Sequence, residues 1–134
     1  MTDAEEISAL LDDMRSGDEN LLISASIMLA QFGQKADPGL LTTLASSKSL
    51  IRDYSAMALG LIGHDAESAL PALCGAAFDA NHKVHYAALV AIGNIGKSTT
   101  EAVSCLDVAL RDPDEMCRKG ARNAIAELKP PKLN

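Results

Sequence analysis

A chain of 134 residues with 18 acids, 12 bases and a formal net charge of −6 holds one ordinary domain and is poorly suited to gripping nucleic-acid phosphates. Its 48% hydrophobic content excludes wholesale disorder. Only Phe32, Tyr54, Phe78 and Tyr86 are aromatic, against 22 Ala and 9 Gly, which excludes a core built on large anchors. No apolar run reaches the roughly 18 residues of a transmembrane helix. Met1-Thr2-Asp3-Ala4-Glu5-Glu6 has neither the basic nor the apolar region of a signal peptide. Three widely spaced cysteines (Cys74, Cys105, Cys117) suit reduced cytosolic thiols better than a disulfide framework. The expected setting is cytoplasmic, away from membranes.

In chain order, the apolar spacing predicts helices near 4–14, 20–32, 38–46, 50–62, 66–78, 83–95, 100–110 and 115–128. The first is acidic: residues 1–20 carry Asp3, Glu5, Glu6, Asp12, Asp13, Asp18 and Glu19 against Arg15 alone. The end is mildly basic, with six bases and four acids in 111–134. Phe78-Asp79-Ala80-Asn81 and Arg111-Asp112-Pro113-Asp114 read as tight turns that also cap the helix that follows. A tail at 129–134, with Pro130 and Pro131, cannot continue a helix.

These helices are copies of one another. Adding 33 carries Ile51, Arg52, Ala58, Leu59, Gly60, Ile62 and Gly63 onto Val84, His85, Ala91, Ile92, Gly93, Ile95 and Gly96. A second step reaches Cys117, Arg118, Ala124, Ile125, Ala126 and Leu128, while a backward step of 30 reaches Leu21, Leu29, Ala30, Phe32 and Gly33. Pro38, Leu40 and Leu44 likewise match Pro71, Leu73 and Ala77. Four helix pairs of one pattern, approximately 4–33, 36–63, 66–96 and 99–128, predict an all-α solenoid forming a single domain. Gly33, Gly63 and Gly96 are placed to end second helices, and Gly60 and Gly93 to admit a close neighbour.

Ile51-Arg52, Ala58-Leu59-Gly60 and Ile62-Gly63 resemble the second-helix motif V-R-x-x-A-A-x-A-L-G-x-I-G of HEAT-like repeats, of the short kind found in phycobilisome lyases. Val84-His85, Ala87-Ala88, Ala91-Ile92-Gly93 and Ile95-Gly96 match it with His in place of Arg. Cys117-Arg118 and Ala124-Ile125 match it loosely, and the copy from Leu21 lacks the Arg. The resemblance implies a right-handed solenoid of about eight helices, with second helices lining a concave surface, and little about chemistry. Deoxyhypusine hydroxylase resembles these repeats but carries iron-binding His-Glu pairs. Here Asp65, Lys83 and Tyr86 follow the three histidines, so that activity is not supported.

No catalytic constellation is present, and neither enzyme activity nor a cofactor is expected. His82 and His85 lie three apart but supply only two ligands, and the cysteines sit on other helices, so no metal site is expected. His85 is expected as an exposed Arg-equivalent. Cys117, in the slot of Ile51 and Val84, is expected in the core. Arg52, His85 and Arg118 form a ladder with two readings: a basic row facing a partner, or rungs pairing with turn acids such as Asp79 and Asp112. Ile27, Met57, Val90 and Asn123, flanked by Ile23, Leu89 and Tyr86, form a stripe that is mostly apolar where polar residues are usual. Such a stripe is a binding face, or is buried between repeats by strong curvature, or is a homodimer contact. Lys119 and Arg122 beside Arg118 suit a terminal cap. The expected function is a non-catalytic module that grips another protein through Ile27, Arg52, Met57, His85, Tyr86, Val90, Arg118 and Arg122, as a monomer or weak homodimer. The alternatives are a subunit of a bilin-lyase-like enzyme or chaperone, and a small inhibitor or immunity-type protein.

Overall fold

The computed structural model describes residues 1–128, so the predicted tail 129–134 lies outside the described residues. Within them the chain is helical throughout: α1 (Asp3–Arg15), α2 (Glu19–Gln31), α3 (Asp37–Leu44), α4 (Ser49–Ile62), α5 (Leu70–Ala76), α6 (His82–Ile95), α7 (Thr100–Ala109) and α8 (Glu115–Glu127). Each odd helix packs on the even helix that follows, and the pairs stack in sequence order as a HEAT-like all-α solenoid. No helix among the described residues is long and apolar enough to cross a membrane.

Local chemistry starts each helix. Thr2 closes a capping box on α1, its hydroxyl accepting from the Glu5 amide while the Glu5 carboxylate accepts from the Thr2 amide. Asp18, Asn81, Thr99 and Asp114 cap α2, α6, α7 and α8. One turn device recurs in all four repeats. Ser16, Ser46, Asp79 and Asp112 each accept from the amide two residues on, at 3.3, 3.1, 2.9 and 2.8 Å.

The predicted helix 66–78 is shorter than expected. Gly63–Ala69 is 3-10, Ala66 leaves helical geometry at φ −96° and ψ 20°, and the α-helix begins only at Leu70, with Pro71 in its first turn. A similar 3-10 segment, Gly33–Ala36, precedes α3. Gly63 and Gly96 take φ of +75° and +70°, which lets the chain leave α4 and α6 sharply.

The core is a continuous aliphatic seam: Leu22 and Leu29 of α2, Leu59 of α4, Leu89 and Ile92 of α6, joined by Leu40, Leu73 and Leu106 from the odd helices. The even helices pack on one another more extensively than the odd ones do, so they form the inner layer of the bend. Glycine makes that possible. A methyl added at Gly60 would lie 3.0 Å from Ala91 Cα, and one at Gly93 would lie 2.8 Å from Ala124 Cα. Ala58, Ala91 and Ala124, each facing its neighbour's side, are buried. The matching slot on α2 holds Met28, which is 49% exposed.

Candidate functional site

Two features of the inner layer stand out: the ladder between repeats and the groove beside it. Arg52, one turn into α4, reaches across to the turn before α6. Its Nε donates to Asp79 Oδ2 at 2.8 Å and its Nη2 to Asp79 Oδ1 at 3.1 Å, while Nη1 donates to the Ser46 carbonyl at 2.9 Å. This bidentate pair is largely buried. The hydrogen bond from Arg52 holds the Asp79 carboxyl below the ordinary carboxylate range, and burial opposes it.

The next rung differs. His85 stands in the slot of Arg52, and Asp112 in that of Asp79. The imidazole Nε2 lies 3.4 Å from Asp112 Oδ2, makes no hydrogen bond, and its side chain is 9% exposed. The expectation of an exposed His85 is therefore corrected. The shorter side chain is drawn under the turn, and Phe78 packs against its ring at 6.5 Å between centroids. Arg118 turns back on its own turn, donating to the Asp112 and Pro113 carbonyls at 2.8 and 2.9 Å. Arg52 and His85 are thus engaged between repeats, while Arg122 and Lys119 are exposed on α8.

Sequence spacing separates the cysteines, but the fold regroups them. Cys117 is buried beneath the His85 rung, and burial with the nearby Asp114 and Asp112 charges pushes its thiol up to about 11. Cys74 of α5 donates its thiol to the Glu101 carbonyl at 3.4 Å, and its neighbourhood with Cys105 of α7 lowers the Cys74 thiol and raises that of Cys105, the buried member. His82, expected in the turn, is the first residue of α6. Its Nδ1 lies 2.9 Å from Asp114 Oδ2.

The stripe on the inner layer is accessible. Ile27 is 46% exposed and Val90 38%, Met57 and Tyr86 are half-buried, and Asn123 is exposed. Of these, Met57, Tyr86 and Val90 frame a groove of about 220 Å³ between α4 and α6, floored by Gly60 and Ala91 and walled also by Leu61; Ile27 and Asn123 lie outside it. Leu61 and Asn94 were missed from the sequence, although each lies four residues beyond a stripe residue (Met57, Val90) on the same helix face. Asp53 stands at the groove's end, its carboxyl raised by burial. A second cavity, of about 480 Å³, opens on the outer layer between α1 and α3. It is lined by Ile7, Leu11 and Pro38, and the Lys35–Asp3 ion pair at 2.9 Å stands at its edge.

No family model matches the chain, and no curated protein matches it in sequence. Solved structures do. The complex of CpcE and CpcF of phycocyanin lyase from Nostoc sp. PCC7120 matches at a TM-score of 0.79 and 25% identity, over 94% of this chain and 79% of that one. An engineered protein matches at 0.69 and 20% identity, over 95% of this chain and 62% of its own. A designed armadillo repeat protein in complex with the peptide (KR)4 matches at 0.70 and 18% identity, over 92% and 64%. The chain thus spans less than two thirds of the engineered and armadillo chains.

Proposed function

We propose that this HEAT-like repeat protein is a non-catalytic scaffold that binds another protein through the inner layer of its solenoid. The observation that carries the reading is the exposed apolar groove on α4 and α6, with Ile27 exposed on the neighbouring α2. Met57, Leu61, Tyr86 and Val90 offer a channel for a row of apolar side chains from a partner helix or extended segment. Asp53 at the groove's end favours a partner with a base beside that row. Arg118 and Arg122 on α8 supply the opposite sign for orientation, so the partner lies along the solenoid with its acidic end toward α8. Arg52 and His85 hold the layer together beneath the contact instead of making it. A peptide complex among the structural neighbours supports gripping as a use of this fold.

The test compares capture by wild type with capture by Leu61→Glu and Val90→Glu, both at exposed positions where folding tolerates charge. The expected result is a protein retained stoichiometrically by wild type and lost by both variants. Identical captures by all three overturn the reading. Light scattering on the purified protein separates a second copy as partner from a different chain.

A second reading, a lyase-type subunit, draws on the likeness to the CpcE and CpcF complex. It predicts a spectral change on mixing with a bilin, and an unchanged spectrum removes it.

A further inference from the structure

We propose that His85, Asp112 and Cys117 form a binding site for a thiophilic divalent cation, Zn²⁺ or a chemical equivalent, clamping the third repeat to the fourth. The imidazole Nε2, a carboxylate oxygen and Sγ all lie within 4.8 Å of one another. Tetrahedral Zn²⁺, with bonds of about 2.0 to 2.3 Å, sets its ligand atoms about 3.5 Å apart. Closing on an ion therefore asks each pair of ligand atoms to approach by at most about 1.3 Å.

Three observations converge on a ligand. His85 Nε2 is buried and faces Asp112 Oδ2 at 3.4 Å without making a hydrogen bond. Such an atom is costly to leave unsatisfied. Second, this seam differs from the one before it at two positions together: His replaces Arg at 85, and Cys117 stands where Ile51 and Val84 present hydrocarbon. Either exchange alone is a packing detail, but together they put a nitrogen and a sulfur donor beside a carboxylate. Third, the two rungs differ in what meets the turn carboxylate: Arg52 gives Asp79 two hydrogen bonds, whereas the His85 imidazole stands 3.4 Å from Asp112 without one. A divalent cation balances the charge of a carboxylate and a thiolate held beside an imidazole.

Binding displaces the Cys117 proton to solvent as the Sγ–metal bond forms, the usual route by which a thiol raised by burial becomes a ligand. A fourth position remains for water or for Asp114, whose carboxylate neighbours the thiol and is itself steadied by His82 at 2.9 Å. Arg118 directs its guanidinium to the Asp112 and Pro113 carbonyls, leaving the Asp112 Oδ2 side open to the site.

The experiment titrates the full chain, under reducing conditions, with Co²⁺ as the probe and Zn²⁺ as competitor. The expected result is one equivalent bound, with a thiolate-to-cobalt charge-transfer band that Zn²⁺ abolishes, and a melting temperature raised by Zn²⁺. Two variants rebuild the neighbouring seam and so keep the fold: His85→Arg and Cys117→Val. Each is expected to weaken binding by more than tenfold, and Cys117→Val also to erase the band. A Cys74→Ser/Cys105→Ser chain keeps both. No band at stoichiometric Co²⁺, a band that survives Cys117→Val, or affinity unchanged in His85→Arg overturns the site.

Discussion

The seam between repeats two and three and the seam between repeats three and four are built on the same backbone and closed by different chemistry. Both bring a glycine against an alanine, Gly60 on Ala91 and Gly93 on Ala124. Both hang a turn aspartate over the helix start. Yet one is locked by a two-pronged guanidinium–carboxylate pair, and the other sets an imidazole nitrogen 3.4 Å from its carboxylate without a hydrogen bond. Close packing sets where repeats meet, and the rung sets how firmly.

The comparison is broken most severely at its strong rung. Arg52→Ala strands a largely buried Asp79 and is expected to cost about 2 to 3 kcal/mol in urea unfolding, toward the low end for a broken buried pair because both groups keep some exposure. A methyl at the shared contact ranks next. Gly93→Ala meets backbone, not a flexible side-chain end, and is expected to cost about 2 kcal/mol by overpacking, with Gly60→Ala slightly less. Gly75→Ala, with nothing within 4 Å, is the control and is expected to gain a few tenths to about 1 kcal/mol. His85→Arg copies the strong rung into the weak seam, and is expected to raise stability by about 1 kcal/mol in the metal-free protein. A loss there means that the seams differ in backbone spacing as well as in side chains.

The gentlest probe is acid. Asp79 is held below its ordinary value of 3.8 in the folded chain, so the unfolded chain binds its proton first as pH falls. Its contribution is therefore complete above about pH 4 and is lost as pH drops through the folded value. Thermal melts at pH 2 to 5 are expected to show Asp79→Asn flattening that acid limb, by less than about 1.4 kcal/mol per pH unit.

The second helices were legible almost to the residue: 20–32, 50–62, 83–95 and 115–128 against Glu19–Gln31, Ser49–Ile62, His82–Ile95 and Glu115–Glu127. Their apolar faces repeat with little interruption, and each ends at a glycine or runs to a predicted limit. The helix expected at 66–78 was not legible, because alanine-rich sequence scores as helix whether the backbone turns in 3.6 or 3.0 residues. Pairing of turn acids with the ladder was visible as one of two readings, since Asp79 and Asp112 recur in register. His85 was misplaced because an imidazole in an arginine slot says nothing of how far it withdraws. Its meeting with Cys117 was hidden too: 32 residues separate them, and only the stacking of consecutive helices brings position 85 over 117.

Met28 has a consequence for polymerisation. Wherever one repeat stacks on the next, the receiving slot is alanine, and at Ala91 and Ala124 the incoming one is glycine. On α2 that receiving slot is filled by a long thioether, and on α8 the donating slot carries Ala126. Copies presented head to tail in the repeat's own register would set a half-exposed methionine where each internal seam sets a buried alanine, so the internal seam is not reproduced between copies.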